Sequence, residues 1–205
     1  MAAGVRSQVD APAAEVALTF DDGPDPEYTP RLLQILDRLG VRATFFTVGE
    51  AVRRHPPIVR DINSSGHALG SHSYSHPDPW ALSPKALKRE YILGRHVLED
   101  VCGRPVHLFR PPKGHLDAAG VLAIRSIGLR PWLWTIDSHD WEPGASPGSI
   151  ERRAAIGGPG DVLLFHDAIR RPVATSTLDR SATLEALPAI VARLRDAGVR
   201  FTTLF

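Results

Sequence analysis

Cysteine occurs once, as Cys102, in a chain of 205 residues. An internal disulfide is therefore impossible, and so is a metal site built on several thiolates. Any ion held by this chain has to sit on imidazole and carboxylate. Cys102 itself reads as a small apolar residue near a helix end. Lysine is scarce too, present only as Lys85, Lys88 and Lys113. Arginine supplies the rest of the positive charge, and the formal net charge is only +1. The basic excess of a nucleic-acid-binding surface is missing, so no nucleic-acid partner is expected. No apolar run reaches the ~20 residues of a membrane-crossing helix. Met1–Pro12 lacks the apolar stretch of a secretory leader, so a cytoplasmic location is expected for the chain as given, or secretion if a leader precedes it. Oligomeric state is left open. Internal repeats and low-complexity tracts are also absent. Hydrophobic residues make up 43% and no composition shift marks a seam, so residues 1–205 are read as one domain with a substantial core.

What is present is an alternation of short apolar runs and longer helical patterns. The expected strands are Glu15–Phe20, Ala43–Val48, His67–Gly70, His107–Phe109, Pro131–Ile136, Asp161–Phe165 and Arg200–Phe205. Between them, Leu32, Leu33, Ile35, Leu36 and Leu39 recur at helical spacing, with Thr29 as cap, Pro30 at the first helical position and Gly40 as stop. Ser83-Pro84 repeats that start signal for a helix to about residue 100. Asp117 opens another that ends at Gly128. A last helix is expected over Thr183–Asp196, bent by Pro188 or beginning there. Glu142–Gly148 and Gly157–Gly160 read as loops. Strand–helix alternation implies a mainly parallel sheet covered by helices.

Five of these strands run directly into ionisable residues: Asp21-Asp22, His72, Arg110, Asp137 and His166. In α/β barrels the site is built at the C-terminal strand ends by the loops that follow. A complete eight-unit barrel takes about 250 residues, so a shortened barrel of seven strands is expected here.

The chemistry of the five groups is that of a metal-assisted hydrolase. His72 and His76, four apart, can converge from a helical turn or from a loop. With one carboxylate they supply three ligands and leave an open position, as catalytic Zn²⁺ sites do. Zn²⁺ is the expected ion, and Co²⁺ or another first-row divalent cation suits the same donors. Side chains alternate along extended backbone, which makes it difficult for Asp21 and Asp22 to reach one ion together. Asp22 is assigned to the metal and Asp21 to the attacking water as general base; spacing alone also permits the reverse. Arg110, held between Phe109 and two prolines, is expected to pair with Asp21 and keep it ionised. His166 is the expected general acid, with Asp137 orienting its imidazole. Trp141 and Leu164 are either core or a small apolar wall. His55, His67, His96, His107 and His115 are assigned structural or solvated roles, and His139 stays ambiguous. Trp80, Trp132 and Trp134 are assigned to packing, with stacking on a sugar ring the alternative for Trp80.

In order, TFDDGP (19–24), H-S-x-x-H (72–76), R-P-P-x-G (110–114), D-x-x-D-W (137–141) and L-x-H (164–166) resemble the five motifs of the polysaccharide deacetylases, the NodB-homology domain of carbohydrate esterase family 4. The resemblance implies a distorted (β/α)₇ barrel and metal-dependent hydrolysis of acetyl groups on sugars. It carries over Asp21 as base, Asp22, His72 and His76 as ligands, Arg110 as support for the base and Asp137 as the residue tuning His166. Trp141 and Leu164 match the pocket for the acetyl methyl. One position departs: the third motif usually has Tyr where this chain has Lys113. A backbone N–H for the oxyanion survives that change, while the surface offered to substrate becomes a flexible cation. The expected activity is removal of N-acetyl groups from an amino sugar of chitooligosaccharide or peptidoglycan type. Rivals are an acetylxylan-type O-deacetylase, an amide or imide hydrolase of a small metabolite, and a silent carbohydrate-binding module.

Overall fold

Side-chain alternation along β1 (Glu15–Asp21) divides the interior in two. Val16, Leu18 and Phe20 join the core beneath the helices, while Ala17 faces the inside of the barrel and Thr19 and Asp21 meet Arg110 there. Phe20 stacks between Phe45 and Phe165, with centroids 5.4 and 5.6 Å away. The computed structural model describes residues 4–9, 14–170, 172 and 174–205, so part of the Met1–Pro12 stretch lies outside it.

The other strands are β2 (Thr44–Thr47), β3 (Ala68–Ser71), β4 (Leu108–Phe109), β5 (Arg130–Pro131), β6 (Ile136–Asp137), β7 (Val162–His166) and β8 (Arg200–Thr202). Every pairing between them is parallel. Seven follow one path, β5-β4-β3-β2-β1-β7-β6, and β8 pairs with the beginning of β1. Among the described residues β5 and β6 do not pair, so the barrel is shortened and distorted as expected. The expected strand Pro131–Ile136 is in fact two strands, β5 and β6, on the two edges of the sheet. Thr135 between them is bonded to Val162, not to β4. Arg6 bridges Trp132 and Gln8 bridges Asp161, so the N-terminal segment ties the β5 edge to the start of β7. Val9, Phe46, Leu108, Trp132, Val162 and Leu204 form the inner apolar cluster.

The helices are α1 (Tyr28–Leu39), α2 (Gly49–Arg54), α3 (Pro56–Ser64), α4 (Pro84–Cys102), α5 (Ala118–Ser126), α6 (Pro147–Ala154) and α7 (Ser181–Asp196). Ser83 and Asp117 cap α4 and α5 as expected, accepting from Ala86 N–H and Gly120 N–H. Gly40 ends α1 in the left-handed region. Thr29 is not a cap: its hydroxyl donates to the buried Asp167 carboxylate and accepts from Asp25 N–H. α7 starts at Ser181 and runs through Pro188. α6 lies partly in the stretch read as a loop; its capping box is made by two serines, Ser146 and Ser149.

Register decides what the strand ends bring together. Asp21 is opposite His166 in the β1–β7 ladder. Ser71 is opposite Phe109 in the β3–β4 ladder, so His72 and Arg110 emerge side by side.

Candidate active site

Arg110 is fully buried, and its charge is consumed locally. Its guanidinium donates to Asp21 Oδ1 and Thr19 Oγ1, each at 2.8 Å, and to the carbonyls of Trp132 and Leu133. It also lies 4.2 Å from the centre of the Phe46 ring. Burial pushes the Asp21 carboxyl up to about 6, against the opposing pull of Arg110 and His166. Without Arg110 that buried carboxylate would lose the guanidinium hydrogen-bonded to it.

The next residue turns away. Asp22 adopts φ 75°, a left-handed conformation that costs an L residue ~1–2 kcal/mol. Three bonds from Arg170 secure it: the backbone N–H donates to Asp22 Oδ2 at 2.7 Å, and the side chain donates to the carbonyls of Asp22 and Pro24. Gly23 follows because a Cβ there would lie 2.2 Å from the Asp167 carboxylate. Held in this way, Asp22 Oδ1 lies 3.5 Å from His72 Nε2 and 3.2 Å from His76 Nε2. It is buried and accepts no hydrogen bond.

The two imidazoles converge from a loop after β3, not from a helical turn. Ser73 and His76 take positive φ, and Ser73 Oγ accepts from His76 N–H. Gly94 in α4 lets that helix approach the loop; a Cβ would stand 2.4 Å from the Ser73 carbonyl carbon. His72 Nδ1 is 2.7 Å from the Arg110 carbonyl oxygen, so it carries the proton and leaves the Nε2 lone pair facing Asp22. Burial, and His76 beside it, hold the His72 pKa well below the usual value, which favours the neutral, ligating form. Among the described residues Asp22, His72 and His76 form a cluster with donor atoms within 4.8 Å of one another. A buried carboxylate oxygen without a hydrogen bond, facing two imidazole nitrogens, fits a divalent cation.

Across the site, His166 Nδ1 lies 2.7 Å from Asp140 Oδ1. The expectation that Asp137 orients this imidazole is therefore corrected to Asp140. Asp137 sits at the end of β6 and its Oδ1 accepts instead from His139 N–H and Trp141 Nε1. His139, at φ 53°, turns the chain so that Asp140 reaches beneath His166. Asp140 is then fully engaged: Oδ2 accepts from His166 N–H and Thr183 Oγ1, and the backbone carbonyl accepts from Arg180. Burial alone would lower the His166 pKa, but the charge and hydrogen bond of Asp140, with Asp22 and Asp21 beyond, outweigh it and hold it up at about 9.

These groups open into one cavity of about 380 Å³, whose wall includes Lys113, Trp141, Leu164 and Trp134. That volume lies in the range of a small-molecule site of ~300–1,000 Å³. Trp132 packs as expected, and Trp134 packs against the same inner cluster while also lining the cavity. Lys113 Nζ pairs with Asp78 at 2.8 Å. Sequence reasoning missed Arg170 and Asp140. Asp140 was visible in D-x-x-D-W as a second acid, whereas Arg170, in an irregular loop, gave no local signal.

The sequence model of the polysaccharide deacetylase family matches residues 8–132. The chain belongs to this family. The match covers the first three motifs. Whole-chain similarity extends it: the deacetylase is 33% identical over 191 residues to a peptidoglycan-N-acetylglucosamine deacetylase of Bacillus cereus, covering 92% of this chain and 85% of that one. It is 32% identical over 200 residues to a chitooligosaccharide deacetylase of Azorhizobium caulinodans, covering 95% of each. Its fold superposes with a TM-score of 0.88 on a crystal structure of a peptidoglycan N-acetylglucosamine deacetylase in complex with 4-naphthalen-1-yl-N-oxidanyl-benzamide, at 32% identity over 98% of this chain and 91% of that one. No helix of the described residues is long and apolar enough to cross a membrane.

Proposed function

We propose that this deacetylase hydrolyses N-acetyl groups on the amino sugars of a glycan of peptidoglycan or chitooligosaccharide type. One observation carries the reading: Asp21, held from behind by Arg110, and His166, held by Asp140, both line the cavity that contains Asp22, His72 and His76. The names of the similar enzymes support the substrate class.

Asp22, His72 and His76 are the ligands, with Zn²⁺ the expected ion and Co²⁺ an alternative. A cation bound there would acidify a water and polarise the acetyl carbonyl. Asp21, kept anionic and aimed by Arg110, accepts a proton from the attacking water. The backbone N–H of Lys113 donates to the developing oxyanion. Leu164 and Trp141 give the acetyl methyl an apolar wall. His166, protonated at neutral pH because of Asp140, donates to the amine nitrogen as the C–N bond breaks, so free amine and acetate leave.

Acetate release from chitooligosaccharides, peptidoglycan fragments and O-acetylated xylan tests this. Release from the N-acetylated members is expected, abolished by chelation and restored by Zn²⁺ or Co²⁺; release from xylan alone would overturn it. Asp21→Asn should retain metal, measured by elemental analysis, while kcat falls about 10²–10⁴-fold.

A further inference from the structure

A second cavity, of about 190 Å³, shares no lining residue with the catalytic one. Its floor and sides are apolar, from Leu82, Leu87 and Leu116, with Trp80 and His115 at its mouth. Two features distinguish it from an ordinary packing gap. Tyr91, fully buried, is one of its lining residues, and its hydroxyl has no hydrogen-bond partner, an omission that costs ~1–3 kcal/mol unless something else satisfies it. Trp80 is 67% exposed, yet its ring is held flat against His115 at 3.6 Å and 9°. An indole kept rigid with one face open to solvent is a platform for another flat, partly apolar surface.

The two cavities are joined by direct contacts. Lys113, on the catalytic wall, pairs with Asp78 at 2.8 Å; Asp78 also meets His115 Nδ1 at 3.0 Å; His115 carries Trp80. Gly114 lines the catalytic cavity and the next residue, His115, lines the second, so consecutive residues border both. The smaller volume is below the ~300 Å³ of a complete ligand site, so it suits part of a sugar and not a separate substrate.

We infer that Trp80, His115 and Tyr91 form a second sugar subsite, which binds a neighbouring pyranose of the same glycan chain. The apolar C–H face of the ring stacks on Trp80, and a polar substituent turns inward to the Tyr91 hydroxyl. Asp78 and Lys113 present charged hydrogen-bonding groups to the ring hydroxyls between the two cavities. The inference rests on the proposed action on glycans and adds that the preferred substrate is an oligomer.

The test is kcat/KM for acetate release from N-acetylchitooligosaccharides of increasing length, for the wild type, Trp80→Ala and Tyr91→Phe. The wild-type value should rise with length. Trp80→Ala should remove about tenfold of that rise, through KM, and leave the shortest substrate unaffected. Trp80 is exposed, so folding is not at risk. Tyr91→Phe should raise KM for the longer substrates only, with an unchanged or higher Tm, because it deletes an unsatisfied group. A length profile that is flat in the wild type, or unaltered in Trp80→Ala, overturns the subsite. Equal losses at all lengths in Tyr91→Phe overturn the role of its hydroxyl. A wild type that releases acetate from no N-acetylated sugar instead overturns the function on which the subsite rests.

Discussion

The two flanks of the catalytic cavity are built differently. On one, Asp21, His72 and Arg110 are the last or next residues of paired parallel strands, β1, β3 and β4. Ladder register carries them to one level, and the first and third meet as a fully buried ion pair. On the other, Asp137 stands at a strand end in the same way, yet the residue that holds His166 is Asp140, three positions into a loop. Strand ends locate a cavity reliably; they do not decide which of two nearby acids enters a hydrogen bond. Backbone strain follows the same division. Of the six non-glycine residues with positive φ among those described, Ala14 is remote, whereas Asp22, Ser73, His76, Lys113 and His139 all lie in the loops around the site. Such conformations persist where surrounding structure over-determines them.

The largest effect should come from breaking the strand-end flank. Arg110→Ala leaves Asp21 buried without its cation, and a loss of about 3–5 kcal/mol is expected in denaturant unfolding, together with inactivity. A change under 1 kcal/mol would mean that solvent reaches Asp21 and that the strand-end flank is no more rigid than the loop flank.

The loop flank is tested by a pair of substitutions. His166 has to be protonated to act as an acid, so kcat/KM should fall as pH rises through about 9 in the wild type. Asp140→Asn removes the charge that raises this value, and the alkaline limb should move down toward the ordinary imidazole value of 6.5. Asp137→Asn should leave the limb in place and act through Trp141, as a modest rise in KM. A limb that moves in Asp137→Asn and not in Asp140→Asn would restore the assignment made from the strand end.

A smaller effect sharpens the comparison at Asp22, where a strand ends in a loop. Arg170→Ala deletes the bonds to the Asp22 and Pro24 carbonyls but retains the backbone N–H to Asp22 Oδ2. Metal affinity, measured by chelator competition, should weaken about 10–100-fold, with the Co²⁺ absorption spectrum altered. Unchanged affinity would show that the left-handed turn holds itself.

Much was legible in the chain because it depends on local periodicity. The apolar alternation in β1 and β7, the caps Ser83 and Asp117 and the stop at Gly40 are choices a few residues make by themselves. So is the presence of ionisable residues directly after the strands. In two places where the reading erred, the deciding contact was distant in sequence. Pro131–Ile136 divides into two edge strands because Thr135 bonds Val162. Thr29 abandons capping for Asp167.

By itself the sequence determined a parallel, helix-covered barrel with a metal-binding hydrolase site at its strand ends. Those features follow from periodicity and from which donor types are available in a chain with one cysteine. Only the tertiary structure decided that Asp140 partners His166, that Arg170 secures Asp22, and that Trp80 and Tyr91 border a second cavity. Each of these joins loops or helices through a few ångströms of space, and such proximity is set by how the elements pack, which no local pattern encodes.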